Sequence, residues 1–158
     1  MAIYQVVTLP NEVLRLKAAP VKNINTGVIR VLDNMRDTMQ AFDGVGIAAP
    51  QIGVSKRIVL IDIGDNLIEL INPEIIFREG EQTGTEGCLS IPDTVGRVTR
   101  SNRVVVKALN REGKEVIHEG EQLLARAFQH EIDHLDGILF IDRAIDIHKP
   151  KTGRGDRS

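Results

Sequence analysis

Two histidines and a glutamate form the most chemically suggestive group in this sequence. The stretch QHEIDHLDG places His130 and His134 four residues apart, with Glu131 directly after the first histidine. On an α-helix the two imidazoles lie one turn apart on the same face and can bind one metal ion. Glu131 lies about 100° around the helix from His130. Its carboxylate could therefore accept a proton from water beside the ion without being a ligand.

A metal ion held by two histidines needs a third protein ligand, and two common sources of it fail here. In the protease pattern H-E-x-x-H-x-x-G-x-x-H a third histidine follows the glycine, but Phe140 stands three residues after Gly137. Thermolysin-like enzymes use a later glutamate, and none follows Glu131. Other downstream candidates lie in a short terminal segment: Asp142, Asp146 and His148. The alternative is a pair of surface histidines on a solvated helix.

Cys88, the single cysteine of the chain, is the better candidate for the third ligand. It lies in the stretch TEGCLSIP, where Gly84 and Gly87 permit tight backbone and Pro92 stiffens the following residues. A thiolate and two neutral imidazoles give a divalent ion a site of net charge about +1, with a fourth position open for water. The alternative is a small buried hydrophobic side chain, which is what most free cysteines are.

The elements that must position these residues are a mixture of helices and strands. Apolar residues at helical spacing predict one helix over residues 26–42 and a second over about 121–135, which carries the histidine pair. Runs rich in β-branched residues predict strands at 57–63, 67–71 and 74–77, and a hairpin over 103–109 and 114–119. This order predicts an α+β fold, with mixed or antiparallel strands around the central second helix.

Length and composition predict one domain over residues 1–147, followed by a short basic, disordered tail at 148–158. A net charge of −2 and the absence of tryptophan argue against nucleic-acid and membrane-surface binding. No apolar run is long enough to cross a bilayer, and the N-terminus does not read as a signal peptide. A lone thiol is typical of a reducing compartment, so we expect a cytoplasmic protein, with a monomer as the default state.

Three stretches together resemble the signature motifs of the peptide deformylases. They are GVGIAAPQ at 44–51, EGCLS at 86–90 and QHEIDHLDG at 129–137, in the order of that family and with similar spacing. The resemblance extends from the N-terminal helix to about Ile141, which is most of the chain. It implies an α+β fold whose second helix supplies both histidines, and a single catalytic domain over 1–147.

The resemblance also implies a role for each matching position. The implied metal ligands are Cys88, His130 and His134. Glu131 would be the catalytic acid and base, and the oxyanion hole would consist of the Gln51 side-chain amide and the Leu89 backbone N–H. The implied substrate-binding residues are Gly44, Val45, Gly46, Gln51, Gly87 and Leu89. Glu86 and Asp133 could orient the ligands or could form a structural ion pair, and the sequence leaves both alternatives open.

The implied activity is removal of the formyl group from the N-terminal formylmethionine of newly synthesised proteins, with release of formate. The implied cofactor is one divalent metal ion, usually Fe²⁺, with Zn²⁺, Ni²⁺ or Co²⁺ able to substitute. Some relatives have a long C-terminal helix associated with ribosome docking, whereas Pro150, Gly153 and Gly155 argue against one here. A transient ribosome contact through the basic tail stays a hypothesis.

Two alternatives to this function remain at this point. The same ligand set could belong to another metal-dependent amidase or to a peptidase. The site could also be a structural metal site without turnover. Structural sites commonly have four protein ligands, and this sequence offers one cysteine and no obvious fourth ligand.

Overall fold

Two antiparallel sheets and two α-helices make up the part of the chain that this computed structural model describes, residues 4–64 and 66–150. The strands are β1 (Gly46–Ala48), β2 (Ile58–Asp62), β3 (Leu67–Glu79), β4 (Gln82–Cys88), β5 (Ile91–Arg100), β6 (Arg103–Leu109), β7 (Glu115–Glu121) and β8 (Ile145–His148). The larger sheet has the order β1-β2-β3-β6-β7, and the smaller sheet has the order β4-β5-β8. The predicted α+β class is confirmed.

The larger sheet is covered by a helix on each face. The helices are α1 (Thr26–Ala41) and α2 (Gln122–Leu135). In β2, Val59 and Ile61 belong to the apolar cluster that contains α2, whereas Ile58 and Leu60 belong to the cluster that contains α1. Because successive side chains of a strand point to opposite faces, covering both faces explains why β2 is apolar at four successive positions, 58–61.

Helix α2 is buried on two sides and therefore lies between the two sheets. Ala125, Phe128 and Ile132 pack in the cluster of the larger sheet. His130 and His134 are also buried, and the His130 ring stacks at 6.2 Å on Phe140. That phenylalanine belongs to a smaller apolar cluster that includes Cys88. The histidine face of α2 is thus directed toward the end of β4.

Strand β3 is continuous where the sequence predicted two strands, at 67–71 and 74–77. The chain passes through Asn72 with φ of 53°, and the pairing with β6 has register shifts on either side of Ile75. The Asn72 side chain exchanges hydrogen bonds of 2.8 and 2.9 Å with the backbone of Val21. These two bonds stabilise the left-handed backbone conformation, which asparagine tolerates better than most residues.

The C-terminal part of the chain pairs with the smaller sheet before the described residues end. The predicted tail begins at His148, which is the last residue of β8, where it pairs with Val95. Residues 151–158, where most of the predicted disorder falls, lie outside the described residues. Within the described part of the chain, neither helix combines the length and apolar character that a membrane span requires.

Candidate metal centre

The three predicted ligands come together in one buried cluster. One ligand atom from each of Cys88, His130 and His134 lies within 4.8 Å of the others. Cys88 ends β4, and the histidines lie one turn apart on α2, so the cluster forms where the smaller sheet meets the helix. The Cys88 sulfur is 3.4 Å from His134 Nε2, and the two imidazole centroids are 5.1 Å apart.

The hydrogen-bonding state of His130 fits a metal ligand. Its Nδ1 bonds to a carboxylate oxygen of Glu86 at 2.9 Å. Among the described residues, Nε2 of the same ring is buried and has no hydrogen-bond partner. A buried polar atom without a partner costs about 1–3 kcal/mol. A metal ion bound to Nε2 would remove that cost, and a carboxylate on the other ring nitrogen is the usual arrangement for a histidine that binds metal.

Electrostatics at the cluster give the two histidines different protonation states. Although burial lowers the pKa of His130, interactions with Cys88, Glu86 and Glu131 raise it to about 10, so this imidazole has to release a proton when a metal ion binds. Burial and the nearby charges of His130 and Arg100 lower the pKa of His134 well below its usual value, so this imidazole is neutral and can coordinate. Although burial alone raises the pKa of Glu86, hydrogen bonds with His130 and Arg100 hold it well below its usual range. Glu86 is therefore ionised, and it can only accept hydrogen bonds.

Glu131 lies beside the cluster in a space that Gly46 leaves open. The Glu131 side chain is fully buried, with both carboxylate oxygens inside the protein. A Cβ atom added to Gly46 would lie 2.6 Å from Glu131 Oε2. The absence of a side chain at this position therefore allows the carboxylate to approach strand β1. This close contact explains why a glycine stands at position 46 in the stretch GVGIAAPQ.

Changing Gly46 to alanine should displace the Glu131 carboxylate. A misplacement of about 1 Å in a catalytic group can cost about 10²-fold in rate, so we expect kcat/KM to fall by about that factor. The measurement is formate release at matched metal content. Gly27→Ala, in the first turn of α1, is the control and should retain wild-type activity. Full activity in Gly46→Ala would show that the contact does not constrain the carboxylate.

The remaining residues of the first motif lie at the edge of the larger sheet. Strand β1 pairs only with β2 among the described strands, so it is an edge strand of the larger sheet. A Cβ atom on Gly44 would lie 3.2 Å from a methyl group of Leu89. The Val45 carbonyl accepts a hydrogen bond from the Asp62 N–H at 2.9 Å. The first and second motifs are therefore adjacent in space.

Gln51 is buried in a short 3₁₀-helix, Ala49–Ile52, which follows β1 directly. Its Oε1 accepts a hydrogen bond from the Ala48 N–H at 2.9 Å, which fixes the orientation of the amide group. Its Nε2 donates to Ser90 Oγ at 3.2 Å and lies 3.6 Å from the Cys88 sulfur. The donor end of the amide is thus held at the cluster, next to Cys88.

Gly87 and Leu89 flank Cys88 at the end of β4. Gly87 pairs with Val95 of β5, and the register shifts immediately afterwards, between Gly87 and Cys88. Leu89 is only 8% exposed. Cys88 instead pairs with Ile91, so the irregularity in the ladder falls at the predicted metal ligand.

Glu86 and Asp133, whose roles the sequence left open, have different contacts in the structure. Glu86 contacts a predicted ligand directly, through His130. Asp133 instead pairs with Arg100 and Arg143, at 3.0 and 2.7 Å. The sequence analysis missed Arg100, whose Nε donates to Glu86 at 2.7 Å. No nearby sequence motif marks Arg100, because it follows Glu86 by 14 residues. It also lies in β5, a strand that the spacing of apolar residues did not predict.

A buried thiol and two imidazoles around one point, with a carboxylate beside them, are a set of groups that fits the site of a metal-dependent hydrolase. A model of the polypeptide deformylase family matches residues 3–150. The peptide deformylase of Syntrophomonas wolfei is 64% identical over 146 residues, which cover 92% of this chain and 96% of that one. That of Carboxydothermus hydrogenoformans is 56% identical over 147 residues, covering 93% and 97%.

Solved structures agree with these sequence matches. A peptide deformylase from Legionella pneumophila has a TM-score of 0.88 at 45% identity, covering 91% of this chain and 87% of that one. One from Synechococcus elongatus in complex with actinonin has a TM-score of 0.88 at 38% identity, covering 90% and 79%. The chain therefore belongs to the polypeptide deformylase family. It is a metal-dependent enzyme that removes N-formyl groups from nascent peptides.

Proposed function

We propose that Cys88, His130 and His134 hold one divalent metal ion and that Glu131 is the general base and acid of the deformylation. The observation that carries this proposal is the convergence of three ligand atoms within 4.8 Å of one another. When bound, the ion supplies water of lowered pKa and polarises the formyl carbonyl. In this proposal α2 is the central element, because it provides two ligands and the proton-transfer group from a single turn.

Glu131 moves the proton that the reaction requires. Its carboxylate accepts a proton from water as the oxygen attacks the formyl carbon. The same group then gives the proton to the departing amine as the carbon–nitrogen bond breaks, which releases formate and a free methionine N-terminus. Burial of Glu131 excludes bulk water from this transfer, so the proton stays between substrate and carboxylate.

Gln51 and Leu89 stabilise the charge that develops on the formyl oxygen. Gln51 Nε2 is held beside Cys88 by the bond from the Ala48 N–H to its Oε1, so its orientation is fixed before substrate binds. The Leu89 backbone N–H, one residue after Cys88, provides the second donor. Donors that need no reorganisation stabilise a transition state most effectively. The substrate backbone lies along a surface formed by Gly44, Val45, Gly46 and Gly87.

Replacing Gln51 by alanine should lower kcat by about 10²–10³-fold, the typical cost of losing one oxyanion donor. KM should change little, because the interaction strengthens only as charge develops. Steady-state formate release from a formylated tripeptide measures both constants. Gln40→Ala, at an exposed position of α1, is the control. A variant with raised KM and unchanged kcat would assign Gln51 to ground-state binding.

Fe²⁺ is the metal ion that we propose for the enzyme in the cell. One thiolate and two imidazoles are also compatible with Zn²⁺, Ni²⁺ and Co²⁺, so the donor set supports a divalent ion, and the choice of iron rests on family resemblance. Metal analysis of protein purified without oxygen tests it. Iron in near-equimolar amount supports the proposal, and zinc that is present from the first purification step contradicts it.

The substrates that we propose are nascent chains that begin with N-formylmethionine. The test compares formate release from formyl-Met-Ala-Ser with acetate release from acetyl-Met-Ala-Ser, using the same metal-loaded protein. A strong preference for the formylated peptide supports the proposal. A site for a formyl group needs room only for the hydrogen atom on the acyl carbon, whereas an acetyl group carries a methyl group there. Equal rates would favour the alternative of a broader metal-dependent amidase.

We propose a monomeric cytoplasmic enzyme with one catalytic domain over 1–147. The tail at 148–158 carries four cationic side chains, Lys149, Lys151, Arg154 and Arg157, and this charge supports a transient contact with ribosomal RNA. Co-sedimentation with ribosomes, with and without residues 149–158, tests the contact. Equal co-sedimentation of both chains would exclude it.

A further inference from the structure

The carboxylate of Glu86 accepts four hydrogen bonds from three cationic or potentially cationic side chains. Its Oε1 accepts from Arg100 Nη2 and from His130 Nδ1, both at 2.9 Å. Its Oε2 accepts from Arg100 Nε at 2.7 Å and from Arg126 Nη1. A carboxylate offers about four lone-pair sites, so every site on this one is used.

Arg126 reaches Glu86 from the helix that carries the histidines. It precedes His130 by four residues on α2, so the two side chains lie on the same face. Arg126 is 7% exposed, and its guanidinium also donates to the Val98 carbonyl at 3.1 Å and to Gln82 Oε1 at 3.2 Å. These bonds to β4 and β5 fix its position independently of Glu86.

Gly84 provides the space for this guanidinium. A Cβ atom at Gly84 would lie 3.2 Å from Arg126 Nη2 and 3.4 Å from its Cζ. Gly84 is in β4, four residues before Cys88. The same strand therefore supplies a metal ligand at its end, the carboxylate that orients a second ligand, and room for the arginine that holds this carboxylate.

Building on the metal site of the proposed function, we propose that Arg126 is a positioning residue for the ligand His130, acting through Glu86. An arginine can only donate hydrogen bonds and does not lose its proton in proteins. With both arginines in place, Glu86 can only accept, so Nδ1 of His130 must carry a proton and donate it, which leaves Nε2 as the nitrogen that can bind a metal ion. The lone pair of Nε2 is then directed into the cluster with Cys88 and His134. Arg100 holds one side of the carboxylate, and Arg126 fills the remaining site on Oε2.

Arg126→Met tests this role, because methionine keeps the aliphatic bulk and removes the donors. We expect the Zn²⁺ dissociation constant, measured by competition with a chelator, to rise by about 10–100-fold, the typical cost of losing a group that orients a ligand. The absorption bands of the Co²⁺-loaded protein should also shift, because the geometry of the ligands changes. Neither measurement depends on turnover.

Gly84→Ala is the second variant, and it leaves every charged group in place. The added methyl group should displace the guanidinium and weaken Zn²⁺ binding in the same direction, by a smaller factor. This variant decides the question if Arg126→Met fails to fold, which circular dichroism of the metal-free protein would reveal.

Arg57→Met is the matched control, because Arg57 also stabilises α2 but does not contact Glu86. Its guanidinium donates to the Leu135 carbonyl at 2.9 Å and pairs with Asp136 at 3.0 Å. We expect this variant to lower the unfolding temperature of the metal-free protein and to bind Zn²⁺ as wild type does. Wild-type affinity in folded Arg126→Met or, if that variant does not fold, in Gly84→Ala would overturn the proposal. Equal weakening in Arg57→Met would also overturn it.

Discussion

Replacing Glu131 by glutamine is expected to reduce formate release by about 10²–10⁴-fold, the usual contribution of general acid–base catalysis, while the metal ion stays bound. Glutamine has nearly the same shape, so the space beside Gly46 remains filled. Its amide cannot accept a proton from the attacking water or return one to the departing amine. The two histidines and Cys88 are unchanged, so metal affinity should remain close to that of wild type.

The measurement is kcat with a formylated tripeptide, with the metal content of each preparation determined in parallel. Glu121→Gln provides the control, since this exposed glutamate ends β7 and its side chain makes no capping hydrogen bond to α2, and it should have wild-type activity. If Glu131→Gln kept its activity, the proton would be transferred by another group. If it lost metal together with activity, Glu131 would be a ligand and the proposed ligand set would be incomplete.

Replacing Cys88 by alanine is expected to remove the metal ion and, with it, all measurable activity. The thiolate is the only anionic ligand among the three. Its loss should weaken binding by more than the roughly 10–100-fold that follows from losing a group that only orients a ligand. Two neutral imidazoles would remain, and two protein ligands are fewer than divalent sites of this kind normally have.

Metal content after dialysis and formate release should therefore fall together in Cys88→Ala. Circular dichroism of the metal-free wild type and variant separates loss of the ion from loss of the fold. Cys88→Ser is a useful companion, since its hydroxyl is of similar size but is a much poorer ligand than a thiolate, and it should also lose the ion. A variant that retained one ion per chain and wild-type activity would show that Cys88 is only a buried hydrophobic side chain.

The helices and the inner strands of this fold can be predicted from the sequence, because burial makes their apolar residues recur at a regular spacing. Apolar residues of α1 recur at helical spacing, and Leu32, Met35 and Met39 are the buried ones. Strand β2 is apolar at successive positions because a helix covers each of its faces. These patterns follow directly from which side of an element faces the core.

Strands β4 and β5 could not be predicted from the same signals. Their sequences, QTGTEGC and IPDTVGRVTR, are rich in glycine and polar residues. The structure shows that burial in β4 changes along the strand, from an exposed and half-buried start to a buried end at Cys88. The glycines have reasons that depend on tertiary contacts, since Gly84 makes room for Arg126 and Gly96 for Ala144. Such contacts leave no periodic pattern.

The predicted metal cluster could be derived in part from spacing, whereas the groups that hold it in place could not. Two histidines one helical turn apart indicate a metal site by themselves. The hydrogen bonds to Glu86 come from α2 and from Arg100, a residue of β5. Long-range pairs of this kind depend on how the smaller sheet packs on α2, which no local stretch of sequence encodes.

A titration of metal-free wild-type protein with Fe²⁺ or Co²⁺, without oxygen, tests the central claim most directly. Formate release from formyl-Met-Ala-Ser should be absent before metal is added, rise linearly with added ion, and reach its plateau at one ion per chain. Activity in the metal-free protein, or a plateau well above one ion per chain, would contradict a single catalytic site formed by Cys88, His130 and His134.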